Sequence, residues 1–412
     1  VNDAPVVDVN GPNDPGASFD LIYEERDTPQ YLITLGSGFD ISDVDSVFLS
    51  SCTIILENPS QVEGEILVFP DSYDLKLFKI SFNALTGNLT IAGNATIPQF
   101  EEILAQIAYY NPSFDPDVSS PANPRLVSIV CADSGKAVSD PQYFRIDVVP
   151  VNDPPVVDLN GPRTPGSNFE TDFVEGSDPV PIVSEEISIL DPDSENLSVC
   201  EISWLDFHLS SPNVERGLEA IVIDPSVRIS IDVVFDNITG ITTITGPHTV
   251  AEWEVILHAV QYDNQSPSPT KVTTINNDGE TVVLIDDLTS RRFSFVCKDD
   301  FGLPNQQIPT SIVNVIPVDD KPVVDLNGPD LPGGKQQLYD FFESDEPLPI
   351  TETTFDIFDP DFDPNLSSCT IKILNPANSA TEFLSASTAL ITDMTVPLPI
   401  ITWDKTSSTM LL

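Results

Sequence analysis

One phrase occurs three times. Val1 to Gly16 reads VNDAPVVDVNGPNDPG, Val151 to Gly166 reads VNDPPVVDLNGPRTPG, and Val318 to Gly333 reads VDDKPVVDLNGPDLPG. A period this long belongs to whole domains rather than solenoid units, so the chain has to close on several similar cores in series. The phase divides it into 1–150, 151–317 and 318–412, the last being the first part of a third copy. Position 1 then reads as a domain junction, with further residues expected before it. Its opening residues have neither the basic n-region nor the apolar h-region of a signal peptide.

Charge narrows the partners. The 412 residues carry 17 Lys+Arg against 65 Asp+Glu, a formal net charge of -48. Nucleic acid is excluded as an electrostatic partner, because phosphate contacts need Lys and Arg. No apolar run reaches the roughly 18 residues that a membrane-spanning helix needs. With 40% hydrophobic residues the chain has enough apolar material for folded cores, so its acidity does not mean disorder. A carboxylate surplus of this size suits hard cations, calcium above all.

Cysteines keep the phase of the repeat. Cys52, Cys200 and Cys369 fall at nearly the same distance into their copies, and Cys131 and Cys297 come late in the first two. The simplest pairing is Cys52–Cys131 and Cys200–Cys297, with the partner of Cys369 beyond Leu412; five buried thiols are the alternative. Bridges closing loops this long stabilise by roughly 4 kcal/mol in the chain-entropy model and imply an oxidising compartment. Six N-x-S/T sequons, at Asn88, Asn94, Asn196, Asn237, Asn264 and Asn365, fit a secreted glycoprotein bearing N-linked glycans.

Most segments read as strands. Leu126 to Cys131 and Arg292 to Cys297 are matching β-rich runs, and Tyr143 to Val149 and Ser311 to Ile316 end at Pro150 and Pro317. Thr86-Gly87 and Thr239-Gly240 sit at hairpin turns. Thr96-Ile-Pro-Gln99 and Thr249-Val-Ala-Glu252 are capping boxes. Behind them Phe100, Ile103, Leu104 and Ile107, matched by Trp253, Ile256, Leu257 and Val260, recur at helical spacing. The expected fold is mostly β: tandem Ig-like β-sandwiches, each with one short inserted helix.

Acids recur in register. An early Glu stands four residues before a Pro (Glu25, Glu175, Glu343), followed by Asp-x-Asp (Asp43/Asp45, Asp191/Asp193, Asp359/Asp361). After the second Cys comes an Asp ahead of a Gly (Asp133, Asp299), then the junction pairs Asn2-Asp3, Asn152-Asp153 and Asp319-Asp320. This order of early Glu, Asp-x-Asp, Ala-x-Asp-x-Gly and Val-Asn-Asp-x-Pro resembles the cadherin and cadherin-like superfamily. The repeated VNDAPV phrase and the late Tyr-x-Asn are closer to the cadherin-like repeats of large surface proteins than to adhesion cadherins.

In that family calcium sits between consecutive domains. The resemblance implies a first junction of Glu25, Asn152, Asp153, Asp191, Asp193 and Asp299, and a second of Glu175, Asp319, Asp320, Asp359 and Asp361. Asn2, Asp3, Asp43, Asp45 and Asp133 would serve a junction with a preceding domain, and Glu343 one with a following domain. Two departures stand out: a capped helix takes the place of the acidic Leu-Asp-Arg-Glu segment of adhesion cadherins, and the repeats are longer. The competing reading makes these acids turn and capping residues of an acidic protein. Asp8-x-Asn10-Gly11 and its copies at Asp158 and Asp325 lack the remaining ligands of an EF-hand loop and read as structural turns, with contact to a neighbouring subunit as the alternative.

Catalytic motifs are missing from the sequence. His208, His248 and His258 share no metal spacing, and no nucleophile elbow, P-loop or dinucleotide fingerprint occurs. The function expected is mechanical and extracellular: a calcium-rigidified rod segment of a large secreted protein, building a filament or appendage such as the mastigonemes of flagellated protists. Its partners would be neighbouring repeats, other copies or other extracellular subunits. The alternative is a cell-surface stalk for calcium-dependent adhesion or ligand binding.

Overall fold

The computed structural model describes residues 2–11, 13, 18–25, 28–33, 38–59, 64–69, 75–83, 86–113, 124–215, 217–276, 281–285, 287–328, 338–341, 346–351, 354–363, 365–376, 382–385, 402–404 and 408–411. The first copy contains β1 (Val6–Asp8), β2 (Ser18–Glu24), β3 (Gln30–Tyr31), β4 (Asp40–Ser42), β5 (Phe48–Leu56), β6 (Ile66–Val68), β7 (Lys79–Asn83), β8 (Asn88–Thr96), α1 (Ile97–Leu104), β9 (Ala108–Tyr110), β10 (Arg125–Asp133) and β11 (Gln142–Val149). Six strands form one sheet in the order β2-β11-β10-β5-β8-β7, faced by the small sheet β3-β9-β6.

The second copy repeats this with β12 (Val156–Asp158), β13 (Phe169–Val174), β14 (Val180–Pro181), β15 (Ser188–Leu190), β16 (Asn196–Trp204), α2 (Phe207–Glu215), β17 (Glu219–Ile223), β18 (Asp232–Asp236), β19 (Ile241–Thr249), α3 (Val250–His258), β20 (Val260–Asn264), β21 (Val272–Ile275), β22 (Thr281–Ile285), β23 (Ser290–Asp299) and β24 (Thr310–Ile316). Its sheets, β13-β24-β23-β16-β19-β18 and β14-β20-β17, have the same order as those of the first copy. In the third copy β25 (Val323–Asp325) pairs with β26 (Asp356–Phe358), and β27 (Thr370–Lys372) and β28 (Thr402–Asp404) flank β29 (Thr409–Leu411). The fold is thus tandem, mostly β sandwiches.

Each complete copy closes on its own core. Leu49, Ile54, Ile91, Phe100, Val127 and Phe144 fill the first, and Phe173, Ile202, Trp253, Phe293 and Phe295 the second. The alternation of buried and exposed positions along β10 and β23 is that of strands with one face on a core.

Both disulfides form as the spacing suggests, Cys52–Cys131 and Cys200–Cys297. They join adjacent antiparallel strands of one sheet, with the two cysteines directly opposite each other, rather than bridging the two sheets. Cys369 is a free thiol.

The capping boxes open α1 and α3. Gln99 accepts the Thr96 amide at 3.0 Å, and Glu252 accepts the Thr249 amide at 3.1 Å. The helices are shorter than their apolar spacing indicated. Ile107 lies beyond Leu104, and Val260 already opens β20, though both are buried. The second copy holds two helices where one was expected. Its extra helix, α2, contains Pro212, a residue that reads as a helix breaker in sequence.

The Asn-Gly-Pro phrase builds a turn. Asp8, Asp158 and Asp325 each accept the amides of the second and third residues after them, for example Gly11 at 2.8 Å and Gly161 at 3.1 Å. Gly11 has φ 86° and Gly161 φ 80°. A Cβ on Gly161 would lie 2.0 Å from the Glu186 carbonyl oxygen, so only glycine fits where the turn crosses another strand end.

Candidate metal centre at the repeat junctions

Strand pairing delivers the early Glu to the exit of each domain. β2 runs parallel to the last strand β11, with Glu24 opposite Val149, and β13 runs parallel to β24, with Val174 opposite Ile316. The next residue continues the ladder: Glu25 N donates to Val149 O at 3.1 Å, and Glu175 N to Ile316 O at 3.0 Å. Each carboxylate then meets the linker. Glu25 Oε2 accepts the Val151 amide at 3.1 Å, and Glu175 Oε2 the Val318 amide at 2.8 Å.

The opposite end of the next copy supplies the other acids. Asp191 Oδ1 accepts the amides of Asp193 (3.3 Å) and Ser194 (2.9 Å), a turn that Asp43 repeats on Asp45 and Ser46. Helices α1 and α3 buttress this loop, since Glu101 accepts the Ile41 amide and Glu254 the Ile189 amide, each at 2.9 Å. The late acids end β10 and β23, two residues past a disulfide cysteine, where the ladder bulges. Asp133 and Asp299 are fully buried. Each gives one oxygen to the amide four residues on, Ala137 and Leu303, at 2.8 Å. Ser50 and Ser198 fix both bulges through matching hydrogen bonds of 2.7 Å to the Asp133 and Asp299 carbonyls.

The linker completes the set. Asn152 Nδ2 donates to Asp299 Oδ2 at 2.7 Å, and the Asp153 amide to Asp193 Oδ2 at 3.0 Å. Ahead of the first copy the same contacts recur, Asn2 to Asp133 at 2.7 Å and Asp3 N to Asp45 at 3.2 Å. Gly135 admits Asn2, because a Cβ there would lie 2.4 Å from Asn2 Oδ1. At the second junction the Asp320 amide reaches Asp361 Oδ2 at 2.6 Å, and Asp359 Oδ1 takes the Asp361 amide at 3.0 Å.

Glu25, Asn152, Asp153, Asp191, Asp193 and Asp299 therefore converge, as do Asn2, Asp3, Asp43, Asp45 and Asp133. Glu175, Asp320, Asp359 and Asp361 converge likewise. Asp319, standing where Asn2 and Asn152 stand, is exposed, and Glu343 lies outside the described residues.

Like charges gathered this way strain their own ionisation. Burial, then the negative charge of Asp153 and Asp193, pushes the Glu25 carboxyl up to about 7, against the pull of the Val151 amide. Burial and then Asp193 push Asp191 up to about 6. Burial, Asp361 and Asp320 raise Glu175. Several inward oxygens, Asn152 Oδ1, Asp191 Oδ2, Asp193 Oδ1 and Asp43 Oδ2, are buried with no hydrogen-bond partner. In a folded protein such groups are paired with something. One ligand atom from each of Asp43, Asp45 and Asp133 lies within 4.8 Å of the others. Oxygens of carboxylates and amides, too many for their own protons and facing one point, fit a hard divalent cation better than any internal partner.

Two features escaped the sequence. A buried ion pair sits in each complete copy, Glu65 with Arg125 at 2.7 Å and Glu219 with Arg291 at 2.5 Å, all four side chains fully buried. Tyr109 donates to Glu65, and Tyr262 donates to Glu219 at 2.7 Å. The legible signal was an Arg six residues before the second Cys of both copies. Secondly, the sequon residue Asn264 belongs to this network: it is 3% exposed, donates to Tyr262 at 3.0 Å and accepts the Ser266 amide at 2.9 Å. Both ends of its side-chain amide are thus engaged inside the fold. Asn94, Asn237 and Asn365 are exposed, and Asn88 and Asn196 half-buried.

Sandwich topology and recurrent acid geometry together define a tandem-repeat chain of β-sandwiches with acidic junctions. No family model matches the chain, and no curated protein does. Solved structures are matched at low TM-scores. Human CDH23 EC21-23 gives a TM-score of 0.34 at 12% identity, over 89% of this chain and 83% of that one. Protocadherin Gamma B2 extracellular cadherin domains 3-6 give 0.30 at 12%, over 99% and 64%. Drosophila N-cadherin EC1-4 gives 0.21 at 10%, over 100% and 67%. Likeness at this level carries no argument. Among the described residues no helix is long and apolar enough to cross a membrane.

Proposed function

We propose that this chain is a structural rod segment of an extracellular protein, its repeats joined by calcium at the junctions. The observation that carries this reading is the first junction. There Glu25 of one sandwich, Asn152 and Asp153 of the linker, and Asp191, Asp193 and Asp299 of the next sandwich face one point, with Asn152 Oδ1, Asp191 Oδ2 and Asp193 Oδ1 buried and unpaired. Calcium, when bound, supplies the charge that lets these acids ionise together. Because its ligands come from two domains and their linker, binding and stiffening are one equilibrium. The chain's own residues preset the geometry: parallel pairing aims Glu25, the disulfide keeps β16 and β23 in register, and Asn152 orients Asp299.

Two disulfides and the exposed sequons support an oxidising, extracellular setting. The verbatim glycine turn of each copy supports a stiff building block of a filament or appendage, mastigoneme-like, over a flexible adhesion stalk. Calorimetric titration of the chelated chain with calcium tests the junction sites, and heat-silent addition would remove them. Electron microscopy of native material tests the assembly, where helical polymers support a filament and isolated flexible strands oppose it.

A further inference from the structure

The second copy carries elements without a counterpart among the described residues of the first: helix α2 and hairpin β21–β22. Between β20 and the hairpin runs the segment 265–271, in which Ser266, Ser268 and Thr270 are buried. It is held from beneath. Gln265 N donates to Leu218 O at 2.7 Å, Arg291 Nη2 to Pro269 O at 3.0 Å, and Leu288 N to Thr270 O at 2.8 Å. From α2, Asn213 Nδ2 donates to Lys271 O at 3.1 Å.

The outer side of this segment faces the third copy. Ser268 Oγ donates to Pro360 O at 2.9 Å, Lys271 Nζ donates to Asp361 O, and the same ammonium lies 5.9 Å from the centroid of the Phe362 ring. Pro360 and Asp361 belong to the Asp-Pro-Asp acid loop, whose Asp361 carboxylate accepts the Asp320 amide. Phe362 is held at φ 57°, a left-handed conformation that a non-glycine residue keeps only where its surroundings impose it. Among the described residues the first junction shows no counterpart of this lysine.

We propose that segment 266–271 is a fixed clamp on the second junction. It grips the backbone of the acid loop with a hydroxyl at Pro360 and a charged donor at Asp361, so this junction keeps its geometry without a divalent cation. Among the described residues the first junction shows no such clamp and would depend on the cation, a contrast that rests on the calcium reading; the clamp itself does not. A charged donor on a carbonyl is among the stronger hydrogen bonds in a protein.

Hydrogen exchange of the intact 412-residue chain tests it in excess chelator, followed by mass spectrometry. The expected result is that amides of 318–320 and 359–362 exchange on the order of tenfold more slowly than those of 151–153 and 191–194. Lys271→Met should bring the two junctions to within about twofold, and Ser268→Ala should close part of the gap, with the β16 and β23 peptides unchanged. Equal exchange at both junctions of the wild-type chain would overturn the clamp, as would a Lys271→Met chain with 359–362 still protected. Should Lys271→Met disturb β16 or β23, Ser268→Ala decides: wild-type protection at 359–362 then overturns the proposal. Failure of calcium to protect either junction would remove the calcium reading alone, since the clamp is judged in chelator.

Discussion

Asn152 Nδ2 lies 2.7 Å from Asp299 Oδ2 across 147 residues of sequence, and Asn2 stands in the same relation to Asp133 at the same distance. A neutral amide thus orients a fully buried carboxylate while its own oxygen stays inward. Asn152→Ala should weaken calcium binding by roughly ten- to hundredfold, the range for losing a group that orients a ligand. Calorimetry on the two chains reads this directly, and equal affinities would place Asn152 outside the site.

Glu25 and Asp191 give the metal-free chain an unusual pH dependence. Their carboxyls are raised to about 7 and about 6, whereas in the unfolded chain they ionise near 4.5 and 3.8. Over that window the folded state holds protons that the unfolded state has released. Their contribution to stability is therefore complete below the unfolded values and is lost as pH rises through the folded ones. In chelator the unfolding temperature should fall between about pH 5 and pH 7.5, and Glu25→Gln should flatten part of the fall. Excess calcium should abolish it. A flat profile in chelator would mean that these acids do not converge.

Arg125 and Glu65 form an ion pair with no exposed surface. Removing one partner leaves the other charge buried alone, so Arg125→Met should cost about 3–5 kcal/mol. Glu65→Leu in the same chain should recover part of the loss. Denaturant unfolding measures both; an Arg125→Met chain as stable as wild type would show that the pair is open to water.

Asn264 should carry no glycan in material from a secretory host, because its side chain is buried in the Tyr262 network. Glycans should instead appear at the exposed Asn237 and Asn365. Peptide mass spectrometry decides, and a glycan on Asn264 would contradict the packing of β20.

What could be read in the sequence was whatever recurs in linear register. The acids, cysteines and capping boxes follow the repeated phrase in the same order, so their convergence follows from one topology used twice. The ion pairs were hidden because an Arg such as Arg291 in a strand resembles a solvent-facing residue, and only the fold shows that it points inward. Helix α2 was hidden by Ser-Ser-Pro within it, which signals a turn locally; packing of Phe207 and Asn213 overrides that preference. Asn264 matched a sequon by spacing alone, although its counterpart Asn111 precedes Pro112 and is no sequon. Lys271 had no copy to compare with, and contact between domains leaves no local pattern.

Small-angle X-ray scattering of the 412-residue chain, with calcium and then with excess chelator, tests the central claim most directly. An extended, fixed shape with calcium should give way on chelation to a broader distribution of shapes, with bending at 151–153. An identical profile in both conditions would contradict calcium as the stiffener and leave the junction acids as turn residues.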